Sequence, residues 1–212
     1  MVQKEKTIRW GIIGLGNIAH KFAQDLIKIK DAKLYAVASR TKEKAAEFAS
    51  NYGVAQIYGN YEDLVNDANI DAIYIATPHV LHKENTLLCL EQGTAVLCEK
   101  PFALNKGDAQ VMIDVAREKG LFLMEAMWSC VMPGLFELKS LIKEGAIGKP
   151  KFIEADFGFE APFDPQQRLF NPELGGGALL DVGIYPLTLG LSLFGKPASF
   201  NAHASIGKSG VD

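Results

Sequence analysis

Four short segments of this sequence carry residue types that can do chemistry together. The first, Gly14-Leu15-Gly16-Asn17-Ile18-Ala19, reads G-x-G-x-x-A after a β-branched apolar run and before a segment of helical period. In that context Gly14 permits a tight turn and Gly16 lets the backbone approach a pyrophosphate. Ala19 allows close helix packing, and the first helical amides face the phosphates. The order strand, turn, helix, second strand favours a dinucleotide site over an empty glycine turn. The second strand ends in Ser39-Arg40-Thr41, with Lys44 one helical turn further on. A carboxylate there would bond a ribose 2′-hydroxyl, whereas a hydroxyl and two cations suit a 2′-phosphate, so NADP is expected and NAD is disfavoured.

The other two segments end later strands. Thr77-Pro78-His79, with His82, follows the fourth, and Cys98-Glu99-Lys100-Pro101 follows the fifth. The carboxyl ends of strands form the ligand crevice of a doubly wound sheet, so both should face the cofactor. Lys100 emerges from the buried run Val96, Leu97, Cys98. Partial desolvation of its ammonium would lower its pKa toward the range useful for acid–base work. Pro101 keeps Lys100 out of helical geometry and is a candidate for a cis bond. His79 reads as an ordinary loop histidine, and with no third ligand at suitable spacing no metal site is expected.

These residues need a scaffold, and the surrounding pattern supplies one. Strands are expected at 8–13, 33–39, 56–58, 71–76, 95–98 and 121–125, several of them apolar on both faces as buried parallel strands must be. Between them lie helical stripes: Ile18, Phe22, Leu26 and Ile29; Tyr61, Leu64, Val65 and Ala68; Ala109, Met112, Ile113 and Ala116, each read as core. Asn105 should cap the last helix and Gly120 should end it. After Trp128 the texture changes to a helix at 134–144, a strand-like run at 151–160, a proline-containing loop, an apolar helix at 176–194 and another strand-like run at 199–206. The boundary falls near residue 126, giving a nucleotide domain over 1–125 and a second domain over 126–212.

The chain has 212 residues, with 22 Lys+Arg against 25 Asp+Glu, so no concentrated basic surface offers itself to a nucleic acid. Cys89, Cys98 and Cys130 form neither a disulfide framework nor a CxxC, which suits buried thiols in a cytoplasmic protein. Lys4, Lys6 and Arg9 before Trp10–Ile13 imitate a signal peptide. Two glycines, Asn17 and Lys21 interrupt that pattern and no A-x-A site follows, so secretion is not expected. Asp181 interrupts the apolar stretch at 175–194, so no membrane span is expected either.

The Gly14–Ala19 fingerprint, Thr77-Pro78 with His82, and Glu99-Lys100-Pro101, together with Gly175-Gly176-Gly177-Ala178-Leu179-Leu180-Asp181-Val182-Gly183-Ile184-Tyr185-Pro186, resemble the glucose-fructose oxidoreductase/inositol dehydrogenase (Gfo/Idh/MocA) family. Met124-Glu125-Ala126-Met127-Trp128 and Tyr185 look most like its dihydrodiol dehydrogenase and NADP-dependent D-xylose dehydrogenase branch. The resemblance implies an α/β protein: a Rossmann doubly wound parallel sheet, then an α+β domain with an open, mostly antiparallel sheet, through which a homodimer would form. It implies hydride transfer between NADP and a hydroxyl of a sugar or cyclic vicinal diol. Lys100 matches the catalytic lysine and Tyr185 the acid/base, while Asp181, one turn earlier, would share its helix face. Glu99 and His82 would lie beside the nicotinamide ribose, Trp128 would line the substrate pocket and Arg168 would sit at its rim. Cys130-Val131 departs from the branch, in which Arg-Phe follows the Trp-Ser pair. Relatives continue for roughly another hundred residues, so the second domain is expected to be incomplete. A non-catalytic dinucleotide sensor or a cofactor-binding remnant are the competing expectations, the first opposed by the intact Lys100, Asp181 and Tyr185.

Overall fold

A parallel sheet forms wherever β-branched runs are buried on both faces, and the computed structural model, which describes residues 7–212, contains one. Its strands are β1 (Ile8–Ile13), β2 (Ala32–Ala38), β3 (Gln56–Tyr58), β4 (Ala72–Ile75), β5 (Ala95–Cys98) and β6 (Leu123–Glu125), in the order β3-β2-β1-β4-β5-β6. Every neighbouring pair is parallel. The connecting helices are α1 (Asn17–Leu26), α2 (Lys42–Tyr52), α3 (Tyr61–Val65), α4 (His82–Glu91) and α5 (Lys106–Glu118). Lys4 and Lys6 lie outside the described residues.

Strand alternation sorts the core into two layers. Ile13, Ala36, Ala38, Ile73 and Ile75 pack toward Leu64, Leu90 and Met112 of α3, α4 and α5. Ile12, Val37 and Tyr74 pack the other way, toward Ala19, Ala23, Leu26 and Phe48 of α1 and α2. The stripe expected on α1 is therefore shifted: Ala19, Ala23 and Leu26 are buried, whereas Ile18 and Ile29 are about half exposed. Small alanines let the helix lie close to the sheet, which a row of isoleucines would hold off. Ala68 is likewise exposed, and Ile70 takes the core position. Asn105 caps α5 by accepting from the Asp108 amide, and Gly120 turns the chain out with φ +64. At the amino end of the sheet, Arg9 clamps Asp71 through Nε at 3.0 Å and its own amide at 2.9 Å, fixing β1 against β4.

The chain divides into two compact units, Met1–Ala126 and Met127–Asp212. The second holds α6 (Pro133–Lys143), α7 (Ile184–Phe194), short 3-10 turns at Trp128–Val131 and Pro172–Leu174, and a π-helical turn at Leu179–Gly183 leading into α7. The Ile184 amide reaches back to the Leu179 carbonyl, the i−5 bond of the π turn, and also faces the Val182 carbonyl, which Pro186, with no amide hydrogen, cannot serve. The strands expected at 151–160 and 199–206 are not formed: both runs lack regular structure. Alternation makes a strand only when a neighbour completes the hydrogen-bond ladder, and neither run pairs with another segment here. The open sheet, and the homodimer expected through it, are thus without strands among the described residues. Residues 172–194 are long and apolar enough to cross a membrane by length and composition, with mean hydropathy 1.5, a property shared by core helices of soluble proteins.

Candidate functional site

The carboxyl ends of β1, β2, β4 and β5 bring most of the sequence-predicted residues into one row. Gly14 has φ +84, and a Cβ on it would lie 2.7 Å from the Ala76 carbonyl and the Thr77 amide nitrogen, so β1 and β4 approach there in a way only glycine allows. Gly16 caps α1 in extended conformation with no side chain satisfying the first amides, and a Cβ on it would meet nothing within 4 Å. That open space above a helix N-terminus fits a pyrophosphate. Asn17 and Ile18 are exposed at its mouth, and Ala19 is fully buried beneath it. At the end of β2, Ser39 is buried and Arg40 and Lys44 are exposed. The start of α2 is shaped by Thr41, whose hydroxyl accepts from the Lys44 amide at 3.4 Å. No carboxylate stands in the Ser39–Lys42 turn to repel a 2′-phosphate.

The β4 and β5 loops are tied together through buried groups. His82 is completely buried, with Nδ1 2.7 Å from the Pro101 carbonyl and Nε2 2.9 Å from the Thr77 carbonyl. It braces the two loops instead of presenting a ring nitrogen beside a ribose, correcting its expected place. Burial pulls its pKa down while the two carbonyl acceptors hold it up, and the net direction is downward. Thr77 is buried, and Asn85 donates to its hydroxyl at 3.0 Å, leaving Pro78 exposed at the turn. The Lys100–Pro101 peptide is cis. Glu99 accepts from Tyr74 Oη on one oxygen and from the Lys100 amide at 3.1 Å on the other. Burial raises its pKa, against the opposing pull of those bonds and of the Lys100 charge. Glu125, at the end of β6, accepts from the Phe102 amide at 2.9 Å, and burial raises its pKa too. Asn85, Tyr74 and Glu125 escaped the sequence reading of roles, because a polar residue inside an apolar stripe gives no hint of its partner.

The second unit carries its own cluster. Asp181, buried in the π turn, accepts from Arg168 Nη1 at 2.9 Å, so Arg168 is tied to Asp181 although about half of its side chain is exposed. Tyr185 lies in the first turn of α7, and its Oη accepts from Trp128 Nε1 at 3.0 Å. The Trp128 and Phe157 rings both meet Tyr185 edge to face, at 6.0 and 5.4 Å. Tyr185, Phe157, Asp156, Ser129, Leu135 and Leu189 border a cavity of about 410 Å³. Cys89 and Cys98 are buried and Cys130 only half-buried, all three unpaired. Burial pushes the Cys98 thiol up to about 12, which makes it inert at neutral pH. Among the described residues no three His, Cys, Asp or Glu groups come together to hold a metal ion.

Comparison with known proteins places this geometry. Residues 8–127 match the family model described as "Oxidoreductase family, NAD-binding Rossmann fold", and residues 136–212 match the "GFO/IDH/MocA C-terminal domain". Trans-1,2-dihydrobenzene-1,2-diol dehydrogenase of Xenopus tropicalis is 40% identical over 96% of this chain and 62% of its own length. The Mus musculus protein of that name is also 40% identical, over 97% and 62%. The chain thus spans under two thirds of these relatives. Among solved structures, an NAD binding oxidoreductase from Klebsiella pneumoniae superposes with TM-score 0.79 at 31% identity, covering 89% of this chain and 53% of that one. KijD10, a 3-ketoreductase from Actinomadura kijaniata in complex with NADP and TDP-benzene, gives 0.77 at 30%, covering 90% and 58%. With its glycine turn, its strand-end lysine and both matched regions in order, the chain belongs to the Gfo/Idh/MocA oxidoreductase family.

Proposed function

We propose that this chain binds NADP and oxidises a hydroxyl of a cyclic vicinal diol or sugar, Lys100 and Tyr185 handling the charge and the proton on the reacting oxygen. What carries the reading is Lys100 at the carboxyl end of β5, in the same row of strand ends as the open Gly14–Gly16 turn. Gly14, Gly16, Asn17, Ile18 and Ala19 would hold the pyrophosphate, and Ser39, Arg40 and Lys44 the 2′-phosphate. Thr77, Pro78, Glu99 and Lys100 would border the nicotinamide half, with His82 fixing their loops. When bound, NADP supplies the hydride acceptor. The Lys100 ammonium stabilises the developing alkoxide, and the phenolate form of Tyr185 takes the hydroxyl proton as the carbonyl forms. Trp128, Arg168 and Asp181 would position the substrate. The relatives named for dihydrodiol oxidation and the NADP-bound ketoreductase support the diol and NADP choices. The three unpaired cysteines support a reducing, cytoplasmic setting.

The test is NADP reduction with trans-1,2-dihydrobenzene-1,2-diol and with D-xylose, alongside NADPH and NADH binding. Lys100→Met and Tyr185→Phe should each lower kcat by about 10²–10⁴-fold while NADPH still binds. Full turnover in either variant removes that residue from the reaction, and tighter binding of NADH than of NADPH removes the 2′-phosphate assignment. A second reading, nucleotide binding without turnover, is favoured by the exposed Phe152, Phe200 and Ile206 of the second unit. Tight NADPH binding with no turnover on either substrate would select it.

A further inference from the structure

We propose that the Trp128 indole N–H is a positioning device for Tyr185: it occupies one lone pair of the phenolic oxygen and so directs the tyrosine's own proton toward the substrate. The inference rests on Tyr185 acting in the proposed reaction.

An indole nitrogen donates and never accepts, so the 3.0 Å contact between Trp128 Nε1 and Tyr185 Oη has only one polarity. The phenolic oxygen is the acceptor, and its O–H hydrogen must point along another direction. The ring is fixed as well. Edges of Trp128 and Phe157 meet Tyr185 at interplanar angles of 64° and 60°, so Tyr185 is held at its ring and at its oxygen by separate contacts.

The contact serves both directions of a hydride-transfer reaction. A phenol giving its proton to a carbonyl oxygen, and a phenolate receiving one from an alcohol, can each accept the same indole N–H. The oxygen therefore keeps its place while the proton moves. Trp128 is thus more than a wall of a substrate pocket. It stands on the 3-10 turn Trp128–Val131, which the Cys130 amide closes onto the Met127 carbonyl at 2.9 Å, and Met127 is buried. The turn gives the indole a fixed base although Trp128 as a residue is 55% exposed.

The experiment separates the donor from the shape. In the 212-residue chain, Trp128 is replaced by benzothienylalanine, in which sulfur stands where the N–H stood, and by Phe; both are compared with Tyr185→Phe. NADP reduction is followed with trans-1,2-dihydrobenzene-1,2-diol. Both Trp128 replacements should lose roughly tenfold in kcat, with KM for the diol changing less than about threefold. Adding Trp128→Phe to Tyr185→Phe should cause no further loss, because the donor acts through that tyrosine. Wild-type kcat in the benzothienylalanine chain would mean that the indole only fills space, and would overturn the proposal. Independently of turnover, the Trp128 indole N–H resonance, told from that of Trp10 by its loss in Trp128→Phe, should move upfield in Tyr185→Phe. An unmoved resonance overturns the proposal on its own. A moved resonance with full turnover in Tyr185→Phe instead removes Tyr185 from the reaction and leaves the hydrogen bond standing.

Discussion

In the N-terminal unit the loops around the candidate site are tied to main-chain groups as well as to side chains, whereas in the second unit the named site residues are held by one side chain to another. His82 rests on two carbonyls, and Glu99 and Glu125 take the amides of Lys100 and Phe102. Tyr185 is fixed by Trp128, and Asp181 by Arg168. The difference follows from burial. Paired strands covered on both faces leave loop amides and carbonyls that must be satisfied inside, and buried polar side chains meet that demand. The second unit has no ladder among its described residues and keeps Phe152 at 79% and Phe200 at 84% exposure, so its site depends on pairwise contacts near the surface. Damage should therefore be global in the first unit and local in the second.

Gly14→Ala is the strongest way to break that contrast. Both the positive φ and the 2.7 Å approach to Ala76 forbid a Cβ, so the β1 turn must distort. A loss of about 3 kcal/mol or more in urea unfolding is expected, with NADPH binding abolished. A chain that kept its stability and its affinity would show that the turn is not pinned. Arg168→Ala comes next. It removes the guanidinium from a buried carboxylate, but from the exposed side, so the cost should be about 1–2 kcal/mol. Turnover should fall and NADPH affinity should not change. Weakened NADPH binding in Arg168→Ala would contradict a purely local effect.

The sequence made the nucleotide half legible because period, caps and glycines all pointed to the same answer. Apolar runs set the strands to within two residues, and the Gly14 and Asn105 assignments rest on local backbone demands that sequence expresses directly. What stayed hidden were pairings between distant residues. Arg9 with Asp71, His82 with Thr77 and Pro101, and Glu125 with Phe102 depend on which strand ends become neighbours, and no spacing rule gives that. The α1 stripe misled because Ala19 and Ala23 look neutral in a hydrophobic pattern yet are what close packing requires. In the second unit, alternation at 151–160 promised a strand, but alternation specifies a face and not a partner. Tyr185 and Asp181 became candidates by family resemblance alone. The Trp128 donor was not foreseen, since a tryptophan reads as core or as pocket wall until its nitrogen has a partner.

The smallest expected effect is also the most specific to the closed unit. Glu125 caps the Phe102 amide from a half-buried position, and burial raises its pKa in the folded chain. A carboxyl raised on folding binds more protons when native than when unfolded, so its contribution is most favourable below the ordinary glutamate value of about 4.3 and is lost as pH rises through the native value. Glutamine keeps the carbonyl acceptor for Phe102 and carries no charge. Glu125→Gln should then match the parent near pH 4 and exceed it at pH 7, with Tm higher by about 1–3 °C after allowance for its partial exposure. His82 acts in the opposite sense: its lowered pKa gives stability that is present above the ordinary histidine value and lost as pH falls through the native one. Because His82 is common to both chains, the difference between them isolates Glu125. A difference that stays flat from pH 4 to pH 7 would show that the carboxylate's charge costs nothing there, and that only the bond to Phe102 matters.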